Sequence, residues 1–197
     1  VNTRDRIVAA AAEVMRTRGL ARATTKEIAK AAGFSEAALY KHFRDKTELF
    51  VAVLGERGPT RLSRVLVDLP DRLGQDPVEE VLRDVALAAA DFYEQTFPMA
   101  ASLFAEPKVF DAHRAALRER GKGPHQVGEA VATYLKAEQA LGRINAGVDP
   151  RAAAGMLLGA CLERAFLGHF VDGEDRPSEE EFAARLVDAL LSGISVK

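Results

Sequence analysis

The stretch Ala31-Ala32-Gly33-Phe34-Ser35-Glu36-Ala37-Ala38-Leu39-Tyr40-Lys41-His42-Phe43 decides how this chain is read. Glycine is the residue that most readily ends a helix in the left-handed conformation, and serine is a strong N-cap. Gly33 and Ser35 therefore mark a tight junction between two helices. Upstream, Thr24 and Glu27 have the T-x-x-E spacing of a capping box, and Ile28, Ala31 and Ala32 supply one buried side. Downstream, Leu39 and Phe43 share a face at i, i+4. The helix this implies over 36–42 is too short for a wide apolar face, yet it carries Tyr40, Lys41 and His42. Further out, Ile7, Ala11, Val14 and Met15 form the stripe of a first helix that runs from Asn2-Thr3 to Gly19. Asp45 and Glu48 open a fourth helix through Leu49, Phe50, Val53 and Leu54.

Three short helices around a four-residue AGFS junction make a helix-turn-helix, whose last helix enters a DNA major groove. A groove partner explains why that helix is short and bears donors. Glu36, Ala37, Ala38 and Lys41 are expected to face base edges. The Glu36 carboxylate repels phosphate but can accept from cytosine N4. Tyr40, His42 and Lys46 flank them as phosphate donors, and His42 reads equally well as a packing residue. Thr24 and Thr25 sit at one helix N-terminus and Ser35 at the next, where free N–H groups suit a phosphate.

Charge agrees with this placement. The whole chain of 197 residues carries −2, but residues 1–50 hold 10 Lys/Arg against 6 Asp/Glu, and residues 51–197 hold 17 against 23. A basic head on an acidic body suits a chain that meets a polyanion at one end, with chance clustering on a solvated face as the alternative. The single cysteine, Cys161, excludes an intrachain disulfide and reads as a small buried hydrophobe. No apolar run of about 18 residues is present and VNTRDRI has no signal-peptide pattern, so a cytoplasmic protein with no membrane partner is expected.

Residues 24–50, TTKEIAKAAGFSEAALYKHFRDKTELF, resemble the DNA-binding signature of the TetR family of bacterial transcriptional regulators. The likeness runs from Thr3 through Leu54 and includes T-T-x-x-I-A-x-x-A-G, then L-Y-x-H-F, then K-x-x-L-F. Ala37 stands where many relatives carry Gly. The resemblance implies that Tyr40 and Lys46 contact phosphate and that Lys41 reads a base. It also implies an all-α fold, with a helix-turn-helix domain over 1–46 and a ligand-binding and dimerisation domain over 47–197. Partners would be a double-stranded DNA operator, a second copy of the chain and an unknown small-molecule effector. No cofactor or metal is implied.

The rest of the chain also reads as helix, over about 60–69, 77–97, 99–118, 124–141, 149–171 and 178–194, with a break or kink at Gly58-Pro59. Phe182, Leu186, Leu190 and Ile194 form one apolar stripe, and Ala153, Leu157 and Ala160 lie on a helix rich in small residues. Pairing these two helices with their copies would make an isologous four-helix bundle; burial within one protomer is the alternative. Phe92, Phe97, Phe104, Phe110, His113, Tyr134, Met156 and Glu163 are candidates for lining an effector pocket, with ordinary core packing as the alternative for the aromatic residues. Nothing points to catalysis: no H-E-x-x-H, P-loop, G-x-G-x-x-G or C-x-x-C occurs, and His42, His113, His125 and His169 do not pair at i, i+4.

Overall fold

The computed structural model describes residues 2–55, 60–121, 123–170 and 176–194, with the backbone alone at 194. Gly58 and Pro59, the anticipated joint, lie outside the described residues. All regular structure among the described residues is helical, and the chain groups into two compact units. The first comprises Val1–Gly58 and Thr96–Gly123, the second Pro59–Gln95 and Pro124–Lys197.

The first unit holds α1 (Thr3–Arg18), α2 (Thr25–Ala32), α3 (Glu36–Leu39), α4 (Lys46–Gly55), the last turns of α6 (Val78–Leu103) and α7 (Pro107–Glu119). Local chemistry sets the ends of these helices. Asn2 Oδ1 accepts the Asp5 N–H at 2.9 Å, and the Asp5 carboxylate accepts the Asn2 N–H at 3.4 Å, a reciprocal cap. Gly33 ends α2 at φ 78°, in the left-handed region, and its N–H bonds the Ala29 and Lys30 carbonyls. Ser35 caps α3 by accepting the Ala38 N–H at 3.2 Å. Ile7, Ala11 and Met15 of α1 bury against Ile28 and Ala29 of α2, Leu39, Phe43, and Leu49, Phe50 and Val53 of α4. Each large apolar side chain so buried is worth roughly 1.5–3 kcal/mol.

Several expectations change. In α2 the buried alanines are Ala29 and Ala32, and Ala31 is exposed, because the helix turns Ile28, Ala29 and Ala32 inward together. Regular α3 covers only 36–39. Beyond it the chain tightens into i→i−3 bonds, Lys41 N–H to Ala38 O (3.3 Å) and His42 N–H to Leu39 O (3.0 Å). A boundary after residue 46 would cut α4 away from its own core. Met99, Leu103 and Val109 also join that core, so the unit takes in 96–123 as well. Helix α6 was expected to stop at 97, but it runs through Pro98 to Leu103, and α5 runs through Pro70. Each proline forfeits one backbone bond, and the buried flanks Met99, Leu103 and Leu69 hold the helix on course.

The second unit holds α5 (Arg61–Arg72), the first part of α6, α8 (His125–Ala140), α9 (Pro150–Leu167) and α10 (Glu179–Ile194). Leu62, Leu69, Leu82, Val85, Val131, Leu135, Leu157, Cys161 and Val187 fill its core. Asp149 caps α9 and Pro150 takes its first position, as the sequence suggests. Helix α9 ends at Leu167, short of the expected 171. Its last turn is closed by Arg176, whose Nη2 bonds the Arg164 carbonyl at 2.9 Å, while Arg164 Nη2 bonds the Pro177 carbonyl at 2.9 Å. Among the described residues no helix is long and apolar enough to cross a membrane.

Candidate nucleic-acid interface

The head is built so that α1 fixes the turn between α2 and α3. Arg6 of α1 sends Nη2 to the Ala32 carbonyl at 3.1 Å and lies 4.7 Å over the Phe34 ring. Its cation thereby sits at the carbonyl end of α2, where the helix dipole favours it. Arg4 packs 5.2 Å over Phe43, the anchor that follows α3. Neither arginine was anticipated, since charge counting does not separate a structural cation from one available to DNA.

With the turn fixed, most of the sequence candidates lie at the surface. Ala37, Tyr40, Lys41 and His42 are exposed, and Ala38 is half-buried. Tyr40 is 47% exposed, so it is not a core aromatic. Thr24 and Ser35 are exposed caps. Thr24 Oγ1 accepts the Glu27 N–H at 3.2 Å and donates to Glu27 Oε2 at 2.9 Å, and Arg18 pairs with the same carboxylate. These bonds, led by the Thr24 hydroxyl, hold Glu27 below the usual carboxylate range. Lys46 opens α4 with its ammonium 4.9 Å over the Phe50 ring, and the Arg44 N–H and Asp45 carboxylate close the start of that helix through Glu48.

Thr25 and Glu36, the first residues of α2 and α3, meet directly. The Thr25 hydroxyl donates to Glu36 Oε1 at 2.5 Å and lies 3.3 Å from the Tyr40 phenol oxygen. Glu36 is therefore half-buried, where outward exposure was expected. No sequence spacing announces this contact, because it depends on the angle between the two helices.

The pocket candidates are divided between the two units. Of the eight pocket candidates, Phe97, Phe104, Phe110 and His113 belong to the first unit, and Phe92, Tyr134, Met156 and Glu163 to the second. Phe104 is exposed and stacks on Phe110 at 5.3 Å. His113 is half-buried, and burial and then the Arg120 cation push its imidazole below the ordinary value. Phe92 sits edge-on to Tyr93 at 5.6 Å. Tyr134 is buried in the core, where burial and then Glu138 raise its phenol. Met156 and Glu163 are exposed on α9. A groove between α6 and α10 is lined by Glu80, Arg83, Asp84, Leu87, Glu180, Ala183 and Ala184, none of them a candidate.

Of the dimer candidates, Ala153, Leu157 and Leu190 are buried in their own unit's core, and Ala160, Phe182 and Leu186 are half-buried. The side chain of Ile194 lies outside the described set. The solvent-facing side of α9 carries Ala152, Gly155, Met156, Gly159, Leu162, Glu163 and Phe166, with Phe170 4.9 Å from Phe166 just beyond the helix end. An alanine-rich helix with small or apolar residues on both its inner and outer sides, and few charges, leaves its inward face weakly marked in sequence.

A four-residue α3 set by a glycine turn after α2, with Tyr40, Lys41 and His42 exposed just beyond it, is the arrangement of a helix-turn-helix DNA-binding regulator. Residues 7–53 match the family model of bacterial regulatory proteins of the tetR family. Residues 80–192 match that of the AefR-like transcriptional repressor C-terminal domain. The chain is 32% identical over 166 residues to the nucleoid occlusion factor SlmA of Vibrio campbellii, covering 80% of this chain and 79% of the relative. A protein of Mesorhizobium loti described as a TetR-family transcriptional regulator has a solved structure that superposes with a TM-score of 0.75. It is 25% identical, with 98% of this chain and 97% of that one covered. The fold is also shared with the fatty acid degradation regulator FadR of Bacillus halodurans, at TM-score 0.66 and 18% identity over 97% and 95% of the two chains. The chain belongs to the TetR family, and it is a DNA-binding regulator.

Proposed function

We propose that this protein acts in the cytoplasm as a homodimeric repressor, which binds a palindromic operator and leaves it when a small molecule occupies the C-terminal region. The observation that carries the reading is the exposure of Tyr40, Lys41 and His42, with Tyr40 against Thr25, on a head whose core buries Leu39 and Phe43. Lys41 and Ala37 take the base edges. Thr24, Thr25, Ser35, Tyr40, His42 and Lys46 hold phosphates on either side. A second copy docks on the solvent-facing stripe of α9, where Gly159 and Ala152 allow close approach of another helix and Met156, Leu162 and Phe166 supply apolar area. A dimer presents two recognition helices and so reads two half-sites.

Release follows from linkage. A ligand that binds the DNA-incompetent arrangement more tightly lowers operator affinity by its ratio of affinities for the two states. Helix α6 contributes residues to both units, so a displacement along it reaches the head. No catalytic step is involved. The test is selection of random-sequence duplex DNA on the purified protein at two salt concentrations. Enrichment of a palindrome, with affinity falling steeply as salt rises, supports the reading; enrichment of no sequence at either salt refutes it.

The 32% identity to a nucleoid occlusion factor favours one second reading, a DNA-binding factor with no small-molecule effector. Adding the small molecules of a cell extract to the protein–operator complex separates the two. Release supports effector control, and persistent binding supports the second reading.

A further inference from the structure

We propose that Glu36 is a latch: it keeps the hydroxyl hydrogens of Thr25 and Tyr40 turned inward until a base amino group in the operator engages its carboxylate. This rests on the reading of this face as the DNA interface.

The argument is one of counting hydrogens. A carboxylate only accepts, so the 2.5 Å contact between Thr25 Oγ1 and Glu36 Oε1 uses the single hydrogen of the Thr25 hydroxyl. The 3.3 Å contact between Thr25 Oγ1 and the Tyr40 phenol must then run the other way, with Tyr40 donating. The result is a directed chain, Tyr40 O–H to Thr25 O–H to Glu36. Both hydroxyls that would grip phosphates have committed their hydrogens and turn lone pairs outward. A phosphate oxygen arriving at this surface meets acceptors, with a carboxylate behind them.

Non-specific DNA brings phosphates to this face without a base amino group held in register with Glu36. A cognate major groove offers the exocyclic amino group of cytosine (N4) or adenine (N6), and either can donate to a carboxylate. When the base amino group takes Glu36 Oε1 it displaces the Thr25 hydroxyl from that oxygen, and the Thr25 and Tyr40 hydrogens turn to the phosphates. Base reading and phosphate grip then act together, and the gain falls on the operator alone. Glu36 is in this sense a specificity residue that works by positioning two others.

The experiment measures binding of the full-length protein to the selected operator and to a scrambled duplex of equal length, by fluorescence anisotropy. Wild type, Glu36→Ala, Glu36→Gln, Tyr40→Phe and the Glu36→Ala/Tyr40→Phe double variant are compared. Glu36→Ala should tighten binding to the scrambled duplex about tenfold and shrink the operator preference by at least that factor, the scale of one charge-assisted hydrogen bond. Tyr40→Phe should change scrambled-duplex affinity by less than about twofold when Glu36 is present and weaken it about fivefold when Glu36 is absent, a coupling that a double-mutant cycle reads directly. Glu36→Gln keeps the side-chain shape and should fall between wild type and Glu36→Ala. Replacing C·G and A·T pairs one at a time in each half-site should show a single position at which the wild type discriminates and Glu36→Ala does not.

An equal Tyr40→Phe effect in both backgrounds overturns the latch and leaves Glu36 as a simple repeller of phosphate. Equal weakening of both duplexes by Glu36→Ala and Glu36→Gln overturns it in favour of a structural role. If Tyr40→Phe and Lys46→Ala leave binding to both duplexes unchanged, the face is not the interface, and that result overturns the latch together with the reading beneath it.

Discussion

Removing the carboxylate of Glu138 should loosen the second unit more than any single exposed ion pair could. Glu138 is fully buried on α8. Its Oε1 accepts the Gly74 N–H at 3.1 Å, and its Oε2 lies 3.2 Å from Arg143 Nη1. Arg143 Nη2 in turn donates to the Asp76 carbonyl. One side chain thus ties the turn after α5 to the turn after α8. Gly74 is left-handed at φ 68°, and a Cβ there would stand 3.0 Å from Leu141, so the turn has little room to rearrange. In Glu138→Ala the Gly74 N–H loses its hydrogen bond to a charged acceptor, worth about 2 kcal/mol. Arg143 is 30% exposed and can recover part of its solvation, so its share is set at the level of a half-screened pair, about 1 kcal/mol. The total is about 3 kcal/mol. With a urea m-value of about 2 kcal/mol/M, the midpoint should fall by about 1.5 M at unchanged m. Glu138→Gln keeps one acceptor oxygen and should lose about half as much. The double variant with Arg143→Ala should cost less than the two single losses added, because the residues share one network. A Glu138→Ala loss below about 1 kcal/mol, the worth of an ordinary surface pair, would refute the reasoning.

Other outcomes follow from particular residues. Gly159→Glu puts a charge on the solvent-facing stripe of α9, where a Cβ meets nothing within its own protomer. Sedimentation should show monomers with unchanged helical circular dichroism and a large loss of operator affinity, and an unaltered dimer would remove α9 from the interface. His113 has a folded-state pKa pushed below the ordinary imidazole value, so the unfolded chain binds its proton first. Its contribution to stability is therefore present above about pH 6.5 and lost as pH falls through the folded value. His113→Gln should flatten urea midpoints between pH 7 and 5, and an unchanged slope would assign it to other groups. Cys161 is buried, with its S–H 3.5 Å from the Ala86 carbonyl, and burial pushes its thiol up to about 12. A thiol reagent at pH 8 should label it only at the rate of unfolding, and rapid labelling of native protein would contradict that burial.

The helix-turn-helix was legible because its determinants are local. A left-handed glycine at 33, a cap at 35 and apolar residues four apart at 39 and 43 obey backbone sterics and helix geometry over a few residues, so the chain states them without reference to anything distant. The same holds for the start of α9 at Asp149-Pro150 and for the all-helical class. Tertiary structure decided what depends on two elements meeting. Whether α9 turns Leu157 or Met156 inward is weakly marked in a helix with apolar residues on both sides, and packing against the neighbouring helices settles it. The joining of 96–123 to the head depends on Met99, Leu103 and Val109 finding the α1–α4 core across about 45 residues of chain. The bonds among Thr25, Glu36 and Tyr40 depend on a helix-crossing geometry that no spacing rule encodes. Local rules act through the backbone over one turn, whereas burial and polar pairing act through space, and only the folded chain sets those distances.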